Sequence, residues 1–261
     1  MLKLINEHYI LYPLIVTALT AGLYISGMPF GLIKYKIANE NIFYIFNMVF
    51  SIIFCFLMIK LFYKDWVFGL KLNNFTNGIF RHGFPLIIGS IILLISSYFI
   101  FKPLDNIPEK GTIFVWIFIY YFFLAILEEL FVRGVFLNTL LKAFDNNKYK
   151  ILLAVIISSI TFGVGHLPGM LNQSIHIIAM RIIAVICLGI FFACVYIISG
   201  NLLSVIILHY IINISGSILF YYSNSNEPFA ITKVFLIIAI ILSAWGLYII
   251  KNYNNVIQHM G

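Results

Sequence analysis

Two adjacent carboxylates, Glu128 and Glu129, lie inside a long apolar run of the sequence. An ionised carboxylate near the centre of a bilayer costs roughly 2.5 to 3.5 kcal/mol on insertion scales, so such residues usually have a function. A carboxylate in a water-poor setting can act as a general base that takes a proton from water. The pair is therefore a candidate catalytic site.

The two glutamates differ in the partners that helical geometry gives them. Arg133 follows Glu129 by four residues, one turn further on the same helix face, so the spacing predicts an ion pair. Glu128 is rotated by about 100° from Glu129 and has Val132 at the equivalent position. Because Glu128 has no local partner that would hold it ionised, it is the better candidate for the base. The alternative is that this membrane span ends near residue 127 and that Glu128, Glu129 and Arg133 line the membrane interface.

Two histidines and an asparagine lie in later apolar runs. His166 closes one run, and His209 and Asn213 are four residues apart in another, so the last two share a helix face. A lone histidine in a membrane more often forms a hydrogen bond between helices than a catalytic site. Polar clusters in three separate runs instead favour one shared site, for hydrolysis by an activated water, proton relay or metal binding.

Several other hydrolytic chemistries lack the residues that they need. The sequence contains no H-E-x-x-H, no G-x-S-x-G and no Asp within a predicted span. These absences argue against a zincin-type helix, a nucleophile elbow and an aspartyl dyad. Hydrolysis through glutamate and histidine is the best remaining catalytic option.

Helices that cross a membrane must position these groups, because 62% of the residues are hydrophobic and 10% are charged. Soluble domains have roughly 45 to 50% and about 25%, so a water-soluble globule is excluded. The apolar runs are near the length of about 20 residues that crosses a bilayer. We therefore expect an all-α polytopic membrane protein, with residues 1–261 forming a single integral membrane domain. The eight predicted spans are 9–33, 42–63, 84–101, 112–134, 151–166, 177–199, 202–222 and 230–250.

The net charge of +7 bears on orientation and partners. With eight spans, the Lys and Arg residues outside the runs fall nine on one side and five on the other, and the positive-inside rule puts both termini in the cytoplasm. These residues are scattered over loops, so we expect contact with membrane lipid and no nucleic-acid partner.

Three short motifs resemble those of a known family. Glu128 to Arg133 has the form E-E-x-x-x-R, Phe162 to His166 the form F-x-x-x-H, and His209 to Asn213 the form H-x-x-x-N. In this order, on the fourth, fifth and seventh predicted spans, they resemble the signature motifs of the CAAX protease and bacteriocin-processing (Abi) family of intramembrane endopeptidases. The resemblance covers a catalytic core of about residues 112–222.

The resemblance implies an all-helical fold around a polar intramembrane cavity, and a role for each motif residue. Glu128 would be the general base, His166 would help to position and activate the water, and His209 with Asn213 would stabilise the oxyanion, the histidine as a neutral imidazole. The pair formed by Glu129 and Arg133 would support them. The family is often described as metal-dependent.

The motif residues leave the cofactor open. Glu128, His166 and His209 are candidate ligands for a divalent metal such as zinc, but the same groups suffice for a water activated by glutamate alone.

The expected substrate is a membrane-associated peptide or protein whose apolar segment enters the cavity sideways from lipid. Eukaryotic members of the family trim prenylated CAAX proteins, whereas bacterial members are associated with peptide processing and bacteriocin self-immunity. The richness in Ile, Asn, Lys, Phe and Tyr indicates an AT-rich, bacterial gene, and hence the bacterial plasma membrane. The alternatives are a non-catalytic scaffold or bacteriocin-immunity factor that binds a partner in the same cavity, and a small transporter that uses the carboxylates as a proton relay.

Overall fold

The chain folds into helices that pack as an integral membrane protein. A computed structural model describes residues 46, 48–54, 56–57, 69–70, 72–101, 110–170, 173–219 and 228–260. Within these ranges the regular structure is entirely helical, with no strand, as the composition predicted.

In the part of the chain that the structure describes, seven α-helices follow a short helical stretch at residues 48–54 and a π-helix at Asn77–His82. A second π-helix, Leu130–Leu137, directly continues the second α-helix, and a 3₁₀ turn, Leu167–Met170, follows the fourth. The α-helices are α1 (Phe84–Phe101), α2 (Lys110–Glu129), α3 (Asn138–Ala143), α4 (Lys150–Gly165), α5 (Ile175–Ser199), α6 (Leu202–Ser217) and α7 (Pro228–Met260).

Four helical segments in the described part of the chain are long and apolar enough to cross a membrane: Phe84–Phe101, Val115–Ala143, Ile175–Ser199 and Phe229–Asn252. The predicted spans at 151–166 and 202–222 correspond to α4 and α6, which have 16 residues each and are shorter than the usual spanning length of about 20. The predicted span 9–33, and most of 42–63, lie outside the described residues. The count of eight spans and the polar cavity stay predictions.

The helix that carries both glutamates does not end near residue 127. It runs from α2 through the Leu130–Leu137 π-helix into α3 without a break, because no proline or left-handed residue interrupts it. The apolar stretch Val115–Ala143 therefore extends well past the carboxylates. Where the membrane span ends along this continuous helix, and so whether the charges line the interface, stays a prediction.

Helix α5 is the centre of the described bundle. Its most apolar 18-residue window is 61% buried, against 28% to 33% for the other three candidate spans. It packs most extensively against α7 and α4. The crossing with α4 is close, because a methyl group on Gly189 would come within 3.0 Å of the Ser159 Cα, and one on Gly163 within 2.4 Å of the Ile186 Cγ1. Small residues thus fix the approach of α4 and of the histidine that follows it.

The turn between α5 and α6 sets the direction of α6. Gly200 ends α5 with a φ of 61°, a left-handed conformation that glycine adopts without strain. Asn201 then caps α6, since its side-chain oxygen accepts a hydrogen bond from the Ser204 backbone nitrogen. Helix α6 leaves this turn to pack against α1 and α2, which brings His209 to the end of α2.

Candidate active site

The two adjacent glutamates occupy different environments at the junction of α2 and the Leu130–Leu137 π-helix. Glu129 is 0% exposed, whereas the side chain of Glu128 retains 22% of its exposure. Glu128 is therefore the carboxylate that a reactant can reach, and Glu129 is enclosed by protein.

Glu129 forms the ion pair that its spacing predicted. Its Oε1 accepts a hydrogen bond of 2.8 Å from the Arg133 Nη1, and both side chains are almost completely buried. Arg133 also donates through Nη2 to the Gly189 carbonyl oxygen at 3.1 Å. The guanidinium carbon lies 4.5 Å from the Phe162 ring centre and 5.4 Å from that of Phe192, so two aromatic faces further stabilise the buried charge.

Glu129 has a second partner that the sequence analysis did not foresee. The Nδ1 of His209, on α6, lies 2.7 Å from the same Glu129 Oε1. Because an ionised carboxylate only accepts hydrogen bonds, this nitrogen donates, and in the neutral ring the Nε2 then carries a lone pair. That Nε2 lies 3.4 Å from the Glu128 Oε2. The prediction assigned Glu129 to Arg133 alone, and no spacing signal reveals a contact between residues 80 positions apart.

His166 approaches the other oxygen of Glu128. It lies directly after α4, where its Nδ1 is 2.8 Å from the Phe162 carbonyl oxygen. A carbonyl oxygen only accepts, so Nδ1 donates and the neutral ring again has its lone pair on Nε2. This Nε2 is 3.6 Å from the Glu128 Oε1. The His166 ring stands edge-on to the Phe162 ring, with centroids 4.7 Å apart, which limits its rotation.

Glu128, His166 and His209 therefore converge as three hydrogen-bond acceptors. The two distances to the Glu128 oxygens exceed those of direct hydrogen bonds. Glu128 Oε2 is buried and makes no hydrogen bond with any described residue. Such a set needs a shared proton, a water that donates twice, or a cation.

Asn213 lies one turn beyond His209 on the same face of α6 and is half-buried. Its side chain makes no hydrogen bond within the described part of the chain. The structure thus gives the face that the spacing predicted but, among the described residues, no hydrogen bond between Asn213 and the carboxylates, and its role in catalysis stays a prediction.

Comparison with protein families identifies the segment that carries this geometry. Residues 110–215 match the Rce1-like family of type II CAAX prenyl endopeptidases. The resemblance predicted from the three motifs is confirmed, since the matched segment runs from the start of α2 almost to the end of α6 and contains every motif residue. No curated protein and no solved structure matches the chain.

The side chains that converge in the matched segment are of types that bind metals, but they are not placed as in a formed metal site. Two imidazole nitrogens and a carboxylate are the usual ligands of catalytic zinc, and each imidazole has its other nitrogen fixed by an oxygen acceptor, as metal-bound histidines do. Among the described residues, however, no group of three or more His, Cys, Asp or Glu side chains is placed to hold a metal ion. The residues that would hold one are Glu128, His166 and His209.

Two residues of α5 that contact the site were missed by the sequence analysis. Phe192 stacks on the His209 ring, with centroids 5.1 Å apart and planes at 29°, and Gly189 supplies the carbonyl that binds Arg133. Both lie in an uninterrupted apolar run, where no residue type or spacing distinguishes them from lipid-facing or core positions.

Proposed function

We propose that this membrane protein is an intramembrane endopeptidase that hydrolyses a peptide bond with a water activated by Glu128. The observation that carries the proposal is that each oxygen of this one accessible carboxylate faces the Nε2 of a different histidine. A general base must lie within reach of the proton that it abstracts, and the partly exposed Glu128 meets this condition. The match to a protease family supports the enzymatic assignment. We assign the catalytic core to about residues 112–222 of a single membrane domain.

In this mechanism Glu128 takes one proton from water while the water oxygen attacks the substrate carbonyl carbon. The His166 Nε2 accepts a hydrogen bond from the second proton of the same water and so orients it. When the carbon–nitrogen bond breaks, Glu128 returns its proton to the leaving amine nitrogen. A peptide and one water thus become a carboxylic acid and an amine, with no other reactant.

The tetrahedral oxygen would be stabilised by Asn213 and His209. Since the His209 Nδ1 hydrogen is held by Glu129, the ring donates from Nε2 only when it carries a second proton. This differs from the neutral imidazole expected from the sequence. Glu129 accepts from the His209 Nδ1 and so fixes the orientation of the ring, as the buried carboxylate does in a Ser-His-Asp triad.

A divalent metal such as zinc, if held by Glu128, His166 and His209, would supply a Lewis acid that polarises the water. The metal is a proposal separate from the general-base step, and chelation tests it.

We propose a membrane-associated peptide or protein as the substrate, entering from lipid by an apolar segment. Similarity to CAAX prenyl endopeptidases makes a prenylated C-terminal peptide one probe, and an unprenylated apolar peptide of leader type the other. The proposed location is the bacterial plasma membrane, with both termini in the cytoplasm.

The test is cleavage of both fluorogenic peptides by the purified full chain in lipid nanodiscs. We expect the wild type to cleave at least one peptide and Glu128→Gln to cleave neither. The matched control is Asp145→Asn, which removes a carboxylate of the exposed loop after α3 and should leave turnover unchanged.

Two results would overturn the proposal. Turnover by Glu128→Gln equal to the wild-type rate would remove Glu128 as the base. Binding of a peptide by the wild type without cleavage, at any pH and with or without added zinc, would indicate the non-catalytic scaffold instead.

A further inference from the structure

Asn138, the first residue of α3, bonds the preceding π-helix to α5. Its Nδ2 lies 3.1 Å from the Arg133 carbonyl oxygen, 3.0 Å from that of Gly134 and 2.7 Å from the Tyr196 Oη. Backbone carbonyls only accept hydrogen bonds, so the amide nitrogen must face them and the orientation of the side chain is fixed. The carboxamide therefore holds two consecutive peptide groups of the π-helix, one of which belongs to Arg133.

Tyr196 lies on a face of α5 from which three residues bind or stack on groups of the site or on Asn138. Gly189, Phe192 and Tyr196 follow at intervals of three and four residues and so lie along one side of the helix. Gly189 binds the Arg133 guanidinium, Phe192 stacks on His209, and Tyr196, which is 6% exposed, binds Asn138. Helix α5 thus holds the π-helix directly at the Arg133 side chain and, through Asn138, at the Arg133 backbone carbonyl.

The bond from Asn138 to the Arg133 carbonyl matters because the segment that it holds is a π-helix. π-Helices are rare and are frequently found at functional sites. Here the π-helix follows Glu129 immediately and contains Arg133. A shift of the π-helix backbone would therefore move the Arg133 guanidinium away from Glu129. Glu129 is the carboxylate that orients His209, so the His209 ring would lose its fixed position as well.

We infer that Asn138 and Tyr196 are a positioning pair for the catalytic groups. The inference rests on the proposed function. Neither residue touches the reacting atoms. They hold the π-helix against α5, and this keeps Arg133 bonded to Glu129 and Glu129 bonded to His209. Tyr196 bonds the Asn138 side chain, which bonds the Arg133 backbone carbonyl. The Arg133 side chain bonds Glu129, which bonds His209. The His209 Nε2 then lies 3.4 Å from Glu128.

The test compares Asn138→Asp and Tyr196→Phe with Thr139→Val in the full chain. Asn138→Asp keeps the shape but replaces the donor by an acceptor that faces two carbonyl oxygens. Thr139 is the matched control, because its buried hydroxyl also bonds a π-helix carbonyl, that of Val135, but makes no hydrogen bond to α5 within the described residues. We expect kcat to fall by roughly 10- to 100-fold in Asn138→Asp, the scale of a misplacement of about 1 Å, and by less in Tyr196→Phe, with KM little changed in both. Thr139→Val should keep the wild-type kcat.

A second measurement does not depend on cleavage. In ¹⁵N-histidine spectra of the protein in micelles, His209 is assigned by its loss in His209→Gln. Asn138→Asp and Tyr196→Phe should shift its ring nitrogens, and Thr139→Val should not.

The two measurements separate the inference from the function on which it rests. Absent cleavage by the wild type refutes the proposed function, and the spectra then decide whether the pair positions His209. An active wild type with unchanged kcat in Tyr196→Phe and in folded Asn138→Asp, or unshifted His209 signals in both, overturns the positioning role. If Asn138→Asp does not fold, the conservative variant Tyr196→Phe decides alone. A Tyr196→Phe protein that melts at a lower temperature but keeps the wild-type turnover per folded molecule counts against the inference.

Discussion

Removing the charge of Glu129 should unfold the protein far more readily than removing that of its neighbour Glu128. Glu129 is completely buried and binds both Arg133 and His209 at 2.7 to 2.8 Å. Glu129→Gln leaves the 1% exposed arginine with a carbonyl and two aromatic rings but no carboxylate hydrogen-bonded to it. Breaking one partner of a buried ion pair costs roughly 3 to 5 kcal/mol. At about 2 to 4 °C per kcal/mol, the melting temperature should fall by roughly 6 to 20 °C.

Glu128→Gln should leave the stability of the protein nearly unchanged and abolish its activity. The Glu128 side chain is partly exposed, and the His209 and His166 nitrogens beside it lie 3.4 and 3.6 Å away, beyond direct hydrogen bonds. The amide keeps the shape and leaves no buried charge unpaired, but it cannot accept a proton from water. We expect a melting temperature within about 2 °C of the wild type, a change of under roughly 1 kcal/mol, and loss of cleavage.

The assay is thermal unfolding in detergent beside cleavage in nanodiscs, with two further variants. Asp145→Asn breaks the exposed pair with Lys150 and should change stability by under about 1 kcal/mol. Glu129→Gln combined with Arg133→Met removes both charges and should melt above Glu129→Gln alone. Equal melting of Glu128→Gln and Glu129→Gln would refute the reasoning, as would a double variant no more stable than the single one.

Three other outcomes follow from the site and the helix packing. Asn213→Ala should lower single-turnover cleavage by about 10² to 10³ without weakening peptide binding, and unchanged turnover per folded molecule would remove Asn213 from the site. If zinc is required, phenanthroline should silence the wild type and excess zinc should restore His209→Ala, whereas a water activated by glutamate alone predicts no effect of either. Gly163→Ala should destabilise the protein by about 1 to 3 kcal/mol, because the new methyl group would lie 2.4 Å from the Ile186 Cγ1, and an unchanged melting curve would contradict the close crossing of α4 and α5.

The sequence alone determined the membrane class, the positions of several helices and the contacts within a single helix. The run predicted at 84–101 is α1, and the run predicted at 177–199 begins two residues late relative to α5. The ion pair of Glu129 and Arg133 was predictable because helical geometry places residues four apart on one face. Apolar runs of about 20 residues predicted helices, because a helix of that length crosses the bilayer and satisfies its backbone groups within the segment.

Only the tertiary structure decided which helix faces meet. The contact of His209 with Glu129, the stacking of Phe192 and the bond from Asn138 to Tyr196 join residues 80, 17 and 58 positions apart, and no local pattern encodes them. They arise because α5 occupies the centre of the described bundle, where close approach at glycines fixes the rotation of its neighbours. Apolar side chains look alike in sequence whether they face lipid or protein, so which of them surround the site depends on packing that the one-dimensional pattern does not carry.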